Sequence, residues 1–258
     1  MYKTIEISVE NRIAEVKLNR PDKRNALNDS MVLELTDAFK KLEQDPAVKV
    51  IVLSGNGKAF CAGADLAYLE KLQKNTYEEN LADSRQLMTL FDTIYHLNKV
   101  VIAKVTGHAI AGGAGLATLC DLVYSVPEAK YGYTEVKIGF VPALVSVFLL
   151  RKCGESVAKD LLLTGRLLDA SEAKNLGCIN ELFEASEIEE KVREIAKNLC
   201  NQASGDSLRL TKRLLARVQN ETLLQALDTA AACNASARAT EDCKKGISSF
   251  LNKEAITW

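Results

Sequence analysis

Two short apolar runs, each leading into a glycine-rich loop, constrain this chain more than anything else in it. Val50–Leu53 precedes Lys58–Leu66 (KAFCAGADL), and Val100–Val105 precedes Gly107–Gly115 (GHAIAGGAG). Runs of this length bounded by Gly read as buried strands. Between them, Thr76–Asn98 carries Leu81, Met88, Phe91 and Ile94 on one face of a long amphipathic helix. Strand and helix in alternation predict parallel strands joined by crossovers, hence an α/β fold. Gly and Ala keep side chains away from the loop backbones, so peptide N–H groups can approach a ligand. Two such loops can aim two donors at one oxygen, the geometry of an oxyanion hole. Neither loop has GxxxxGK(S/T), nor GxGxxG opening a helix after a strand, so the common phosphate and dinucleotide motifs are excluded.

The remaining elements follow from the same patterns. Thr4–Val9 and Arg12–Leu18 alternate around Glu10-Asn11 and predict an N-terminal hairpin. Ser30–Leu42 has helical spacing, with Asn28–Ser30 available as a cap. Lys49–Leu53 reads as a strand. Beyond Val126 the pattern turns helical: Leu144–Leu150, Val157–Leu163, Ala170–Asn175, Ile188–Gln202, Leu208–Val218 and Thr222–Arg238, with one short strand near Cys178–Leu182. Gly177 is placed to stop the Ala170 helix. The expected division is a β/α core over residues 1–200 and a helical C-terminal region over 201–258.

Composition narrows the partners. A net charge of −1 with no basic stripe argues against nucleic acid. No apolar run approaches the roughly 20 residues that span a bilayer, and the first residues lack the pattern of a signal peptide. Seven scattered cysteines, an odd number without CxxC, read as reduced core residues of a cytoplasmic protein. With only His96 and His108, no metal-ligand spacing is present, and no metal is expected.

Motif order then carries a resemblance across nearly the whole chain. Asn19–Asn28 (NRPDKRNALN), Phe60–Leu66 (FCAGADL), Lys99–Leu122, Ala129–Pro142 (AKYGYTEVKIGFVP), Leu161–Asn180 and Gly246–Trp258 together resemble the crotonase superfamily, the enoyl-CoA hydratase/isomerase family. The resemblance implies a crotonase-type spiral β/α core and a helical C-terminal trimerisation region, as a homotrimer or a dimer of trimers. It implies an acyl-CoA thioester substrate, with coenzyme A entering as part of that substrate and no separate cofactor.

Residue by residue, the resemblance makes the backbone N–H groups of Ala64 and Gly112 the oxyanion donors. It places Arg24, Ala26, Ala62, Asp65 and Leu66 around the adenine and phosphates, and Lys253 within reach of a bound CoA. Family hydratases commonly use two glutamates. Here the first position is Gly115, which reads as opened space for a bulkier acyl group or an ordered water. The second is retained as Glu135, preceded by Thr134 where proline is usual. Glu135 is therefore the candidate acid/base, its pKa expected to rise by burial.

Other candidates read as structural or peripheral. Glu128 is expected at the surface, Asp121 at a strand start and His108 as a structural imidazole; Cys61 is not expected to act as a nucleophile, and Tyr133 is a candidate lining residue of the acyl pocket. Ala67–Tyr77 and Leu144–Phe148 are expected to set acyl preference. Hydration of a 2-enoyl-CoA is the first reading. Δ3,Δ2-enoyl-CoA isomerisation is the alternative, since mitochondrial isomerases of the family resemble this chain in keeping one glutamate. Hydroxycinnamoyl-CoA hydratase-lyases also keep only that one, so hydration stays open. A silent CoA-binding member is the third reading.

Overall fold

The computed structural model describes residues 1–258. β1 (Ile5–Glu10) and β2 (Ile13–Leu18) form the expected antiparallel hairpin, with Ile7 opposite Val16. Asn11 and Arg12 both have positive φ (52° and 67°), the two-residue turn whose twist suits a hairpin. α1 (Asp29–Gln44) follows, capped by Asn28, whose side chain accepts from the Met31 N–H. It buries Met31, Leu35, Ala38, Phe39 and Leu42, and each large apolar side chain removed from water contributes about 1.5–3 kcal/mol.

One unit then occurs three times: a strand, a tight corner, a shorter strand, then helix. β3 (Val50–Gly55) turns into β4 (Ala59–Cys61) and leads to α2 (Leu66–Leu72) and α3 (Tyr77–His96). β5 (Val100–Val105) turns into β6 (His108–Ile110) and α4 (Gly112–Thr118). β7 (Leu122–Ser125) turns into β8 (Lys130–Gly132), a 3-10 turn at Glu135–Ile138, and α5 (Ala143–Thr164). The longer strands align in the order β2-β3-β5-β7, all parallel, and the shorter ones in the order β4-β6-β8, also parallel. Each unit is thus laid beside the one before it, and the chain advances as a spiral. β9 (Leu167–Asp169) closes the second sheet against β8. After α6 (Ala170–Asn175), β10 (Glu181–Leu182) closes the first sheet against β7.

The apolar runs β3 and β5 are fully buried along almost their whole length, as expected of parallel strands covered on both faces. The exception, Lys104, is 4% exposed and ion-paired to Glu189 of α7 (Ile188–Gln202). α8 (Gly205–Val218), α9 (Leu223–Ala239) and α10 (Glu241–Asn252) complete the chain. Asp121 is structural, as expected: its carboxylate accepts from the Val101 N–H and from Lys212 Nζ, both at 2.7 Å.

Three expectations change. The second sheet was not legible, because its strands are three residues each and show no period. The two helices expected at Leu144–Leu150 and Val157–Leu163 form one element broken at Gly154 (φ 78°, ψ 171°). On α3 the buried face is Leu90, Phe91 and Ile94, while Met88 stays 49% exposed, because α3 packs chiefly through its C-terminal half.

α4 meets the second sheet through small residues. A methyl carbon placed on Gly113 would lie 2.2 Å from the Cys61 carbonyl oxygen and 2.7 Å from Cys61 Cβ. Both obstacles are backbone or its first carbon, so neither can rotate away. Gly113→Ala should therefore destabilise the fold by about 2–4 kcal/mol, in line with overpacked and strained sites. Urea unfolding checks this: the midpoint should fall with little change in slope, and an unchanged midpoint would contradict the packing.

Candidate active site

The first loop is held by the segment before α1. Leu27 N–H donates to Gly63 O at 2.6 Å, and Asp65 N–H donates to Leu27 O at 2.9 Å. In such a parallel bridge the intervening residue faces the other way, so the Ala64 N–H points away from Leu27 and takes no protein acceptor. Ala62 N–H is tied to Arg24 O at 3.0 Å. Residues 24–27 and 62–65 therefore run side by side.

The second loop is held by β8. Ala111 donates its N–H to Gly132 O at 2.6 Å and adopts φ 50°, ψ −123°, a conformation rare for a residue with a side chain. Gly112 follows as the first residue of α4, so its N–H has no partner within the helix. The loops touch at this point. A methyl carbon on Gly63, itself at φ +87°, would sit 3.0 Å from Ala111 Cβ. The residues that precede the two expected donors are thus in van der Waals contact, and two unpaired N–H groups lie on adjoining loops.

Glu135 enters three residues beyond Gly132, at the start of the 3-10 turn. It is half-buried, and its Oε2 atom is fully buried with no hydrogen-bond partner. Desolvation raises its pKa above the ordinary carboxyl value, and a bond from its own backbone only partly offsets this. Val136, Ile138, Phe140 and Val141, which follow it in the chain, are exposed apolar residues. Thr134 is half-buried beside it and makes no capping bond.

The other expected residues divide into those the fold gathers and those it does not. Arg24 is exposed in a left-handed turn (φ 51°), Ala26 is buried, and Leu66, 83% exposed, opens α2. The Asp65 carboxylate is already engaged: it receives Arg20 Nη2 at 2.6 Å and the Ala67 N–H at 2.9 Å. The Arg20 bond is the main reason its pKa is lowered. Its side chain therefore builds the loop, as does its N–H, bonded to Leu27 O. Lys253 ends α10, whose fastenings are Ser204 to Asp242 at 2.6 Å and Trp258 N–H to Asn201 O at 3.1 Å. Trp258 O also receives Arg12, just before β2, so the terminal segment is fixed at the strand end remote from the loops.

Two expectations are corrected. Gly115 opens no space: a methyl carbon there would lie 2.2 Å from Val145 Cγ1 and 3.4 Å from the Phe91 ring. Val145 of α5 fills the place where a side chain at position 115 would begin. Tyr133 does not line a pocket, for it is 1% exposed and its hydroxyl pairs with Thr118 Oγ1 at 2.5 Å. His108 is exposed and accepts the Lys130 N–H at 3.1 Å, consistent with a structural imidazole. Burial pushes the Cys61 thiol up to about 12, which disfavours a nucleophilic thiolate there.

Asn25 went unrecognised in the sequence as a positioning residue. Fully buried at φ 54°, it receives the Arg20 N–H at 2.9 Å and donates to Asn56 O and Ala59 O, both at 2.8 Å. It clamps the β3–β4 corner onto the segment that orients Ala64. Its place inside NRPDKRNALN was visible, but nothing marked it apart from its polar neighbours.

Two adjoining loops with unpaired N–H groups, and a half-buried carboxyl of raised pKa on the arm that follows β8, are the kinds of group that chemistry at a carbonyl requires. Comparison with known proteins agrees. Residues 8–258 match the family model described as enoyl-CoA hydratase/isomerase. A Thermus thermophilus protein provisionally named an enoyl-CoA hydratase is 49% identical over 241 residues, covering 93% of this chain and 95% of that protein. A crotonyl-CoA hydratase of Syntrophomonas wolfei is 33% identical, covering 98% and 96%. The crystal structure of an enoyl-CoA hydratase from Mycobacterium smegmatis superimposes with a TM-score of 0.93 at 27% identity, over 99% of both chains. The chain belongs to the enoyl-CoA hydratase/isomerase family and has the crotonase fold. No helix is long and apolar enough to cross a membrane.

The raised pKa of Glu135 has a consequence for stability. The folded chain holds this proton more tightly than the unfolded chain. Its contribution is therefore fully present below the unfolded value, about 4.3, and is lost as pH rises through the folded value. Glu135→Gln should stabilise the protein at pH 7 and make no difference near pH 3.5. Urea midpoints at the two pH values test this; a variant no more stable at pH 7 would mean that the carboxyl is not penalised by burial.

Proposed function

We propose that the protein is a hydratase-type lyase acting on 2-enoyl-CoA thioesters. The observation that carries this is the unpaired Ala64 N–H on a loop in contact with that of Gly112, with the unpartnered carboxyl of Glu135 three residues beyond Gly132, whose carbonyl holds the Ala111 N–H. The thioester carbonyl oxygen sits between the two N–H donors, which hold the negative charge as the enolate forms. The Glu135 carboxylate takes a proton from the water that attacks C3. The same carboxyl returns a proton to C2 as the enolate collapses. The hydratase names of the relatives support this direction of chemistry.

Arg24, Ala26, Ala62, Leu66 and the Asp65 backbone form the coenzyme A cradle in this reading, and exposed Lys23 and Arg24 suit its phosphates. Exposed apolar residues on α9 and α10, among them Leu224 (80%) and Phe250 (84%), support a homotrimer or a dimer of trimers. Lys253 in this reading meets a CoA only where α10 comes near one. A second reading, Δ3,Δ2-enoyl-CoA isomerisation, is favoured by Val145 in the place of a second carboxylate. One base then carries a proton between C2 and C4, and no water is needed.

Incubation with trans-2-hexenoyl-CoA, followed by mass-resolved chromatography, separates the two. A product heavier by one water is expected; unchanged mass at the 3-enoyl retention time would replace hydration with isomerisation. Glu135→Gln should lower turnover by about 10²–10⁴-fold while CoA affinity is retained. Unchanged turnover in that variant would sink the mechanism.

A further inference from the structure

Of the seven cysteines, only Cys153 and Cys178 face each other, with their sulfurs 3.3 Å apart. We infer that these two thiols are a site of reversible disulfide formation, driven by hydroperoxides, behind the active site. A disulfide needs an S–S separation of about 2.05 Å, so the sulfurs must approach by roughly 1.2 Å. The backbone beside each cysteine has room for this. Gly154 (φ 78°) follows Cys153 at the break in α5, and Gly177 (φ 77°) precedes Cys178 at the end of α6. Neither has an atom within 4 Å of the place a side chain would occupy.

The two thiols have unequal surroundings. Cys153 is half-exposed, whereas Cys178 is 4% exposed. The thiol hydrogen bond and the neighbouring Lys152 ammonium lower the pKa of Cys153, while the same bond and burial raise that of Cys178. An accessible thiolate beside a buried partner thiol is the arrangement of an attacking and a resolving cysteine. The Cys153 thiolate attacks one oxygen of ROOH, the O–O bond breaks, and ROH leaves after taking up a proton. Cys178 then attacks the resulting sulfenic sulfur, loses its own proton, and water departs. Two thiols and ROOH give one disulfide, ROH and H₂O.

The location lets the site register this change. Lys152, next to Cys153, holds the end of α4 through Thr118 O at 2.8 Å and Cys120 O at 3.0 Å. Thr118 is bonded in turn to the buried Tyr133 phenol, which stands two residues before Glu135. Drawing α5 toward residue 178 therefore pulls on the helix that begins at Gly112 and on the arm that carries Glu135. The reduced form is the active one, and the disulfide lowers turnover.

The test treats the reduced, full-length protein with hydrogen peroxide, blocks remaining thiols, and maps the peptides by mass. A peptide pair joined through Cys153 and Cys178, lighter by two hydrogens and released by dithiothreitol, is expected before any other cysteine reacts. Both thiols found free, or Cys153 found only as sulfinic acid, would overturn the proposal; this readout is independent of the substrate. Turnover of hexenoyl-CoA should fall several-fold on oxidation and return with dithiothreitol. Cys153→Ser and Cys178→Ala should each keep turnover in peroxide. A cross-link that leaves wild-type turnover unchanged would refute the regulatory part.

Discussion

Everything at the site depends on how closely two stretches of backbone approach each other. Gly113 lies against Cys61, and Gly63 against Ala111, at distances that admit no further carbon. Because of this contact, the N–H groups of Ala64 and Gly112 belong to one site. The approach has a cost at Ala111, whose φ of 50° with ψ of −123° is strained by roughly 1–3 kcal/mol. The short bond from its N–H to Gly132 O and the packing of Gly63 hold it there. Asn25 and the Arg20–Asp65 pair do the same for the first loop from outside. The fold itself thus holds both loops in place, the condition under which backbone amides stabilise charge without reorganising.

Two buried carboxyls show how function separates from architecture. Asp121 and Glu135 both have pKa values raised chiefly by desolvation. Asp121 is compensated: Lys212 and the Val101 N–H point at it, and it fastens α8 to β5. Glu135 has a buried oxygen with no partner at all. A folded chain retains so costly a group only where the surroundings enforce it or a ligand completes it. The same burial that weakens the fold holds the Glu135 pKa above the ordinary carboxyl value.

The long elements were legible because burial imposes a period over many residues. The hairpin, α1, β3, β5 and α7 lie within a few residues of their expected bounds. The second sheet was not legible, since strands of three residues such as Ala59–Cys61 cannot show alternation. Their pairing partners lie far along the chain, Cys61 with Ala109 and Tyr131 with Leu168. Ala64, Gly112 and Glu135 were singled out through motif order, and the free N–H groups and unpartnered carboxyl are what the fold adds to that expectation. What the motifs could not show was whether a side chain was free: Asp65 proved to be engaged by Arg20, and Tyr133 by Thr118. Such engagement is decided by residues distant in sequence, and no local pattern encodes it.

Gly115 illustrates the same limit more sharply. Taken alone, a glycine where a carboxylate is common reads as a vacancy. In the fold it is half of a packed pair, because Val145 Cγ1 occupies the space a side chain at 115 would need. Phe91 backs that position and meets Phe148 edge-on at 5.7 Å, with Tyr95 against Phe148 at 5.2 Å. One side of this region is therefore a continuous apolar wall. A carboxylate introduced at 115 would enter that wall without a partner, and close-packed interiors do not yield space to a single change. The identity of residue 115 is thus coupled to that of residue 145.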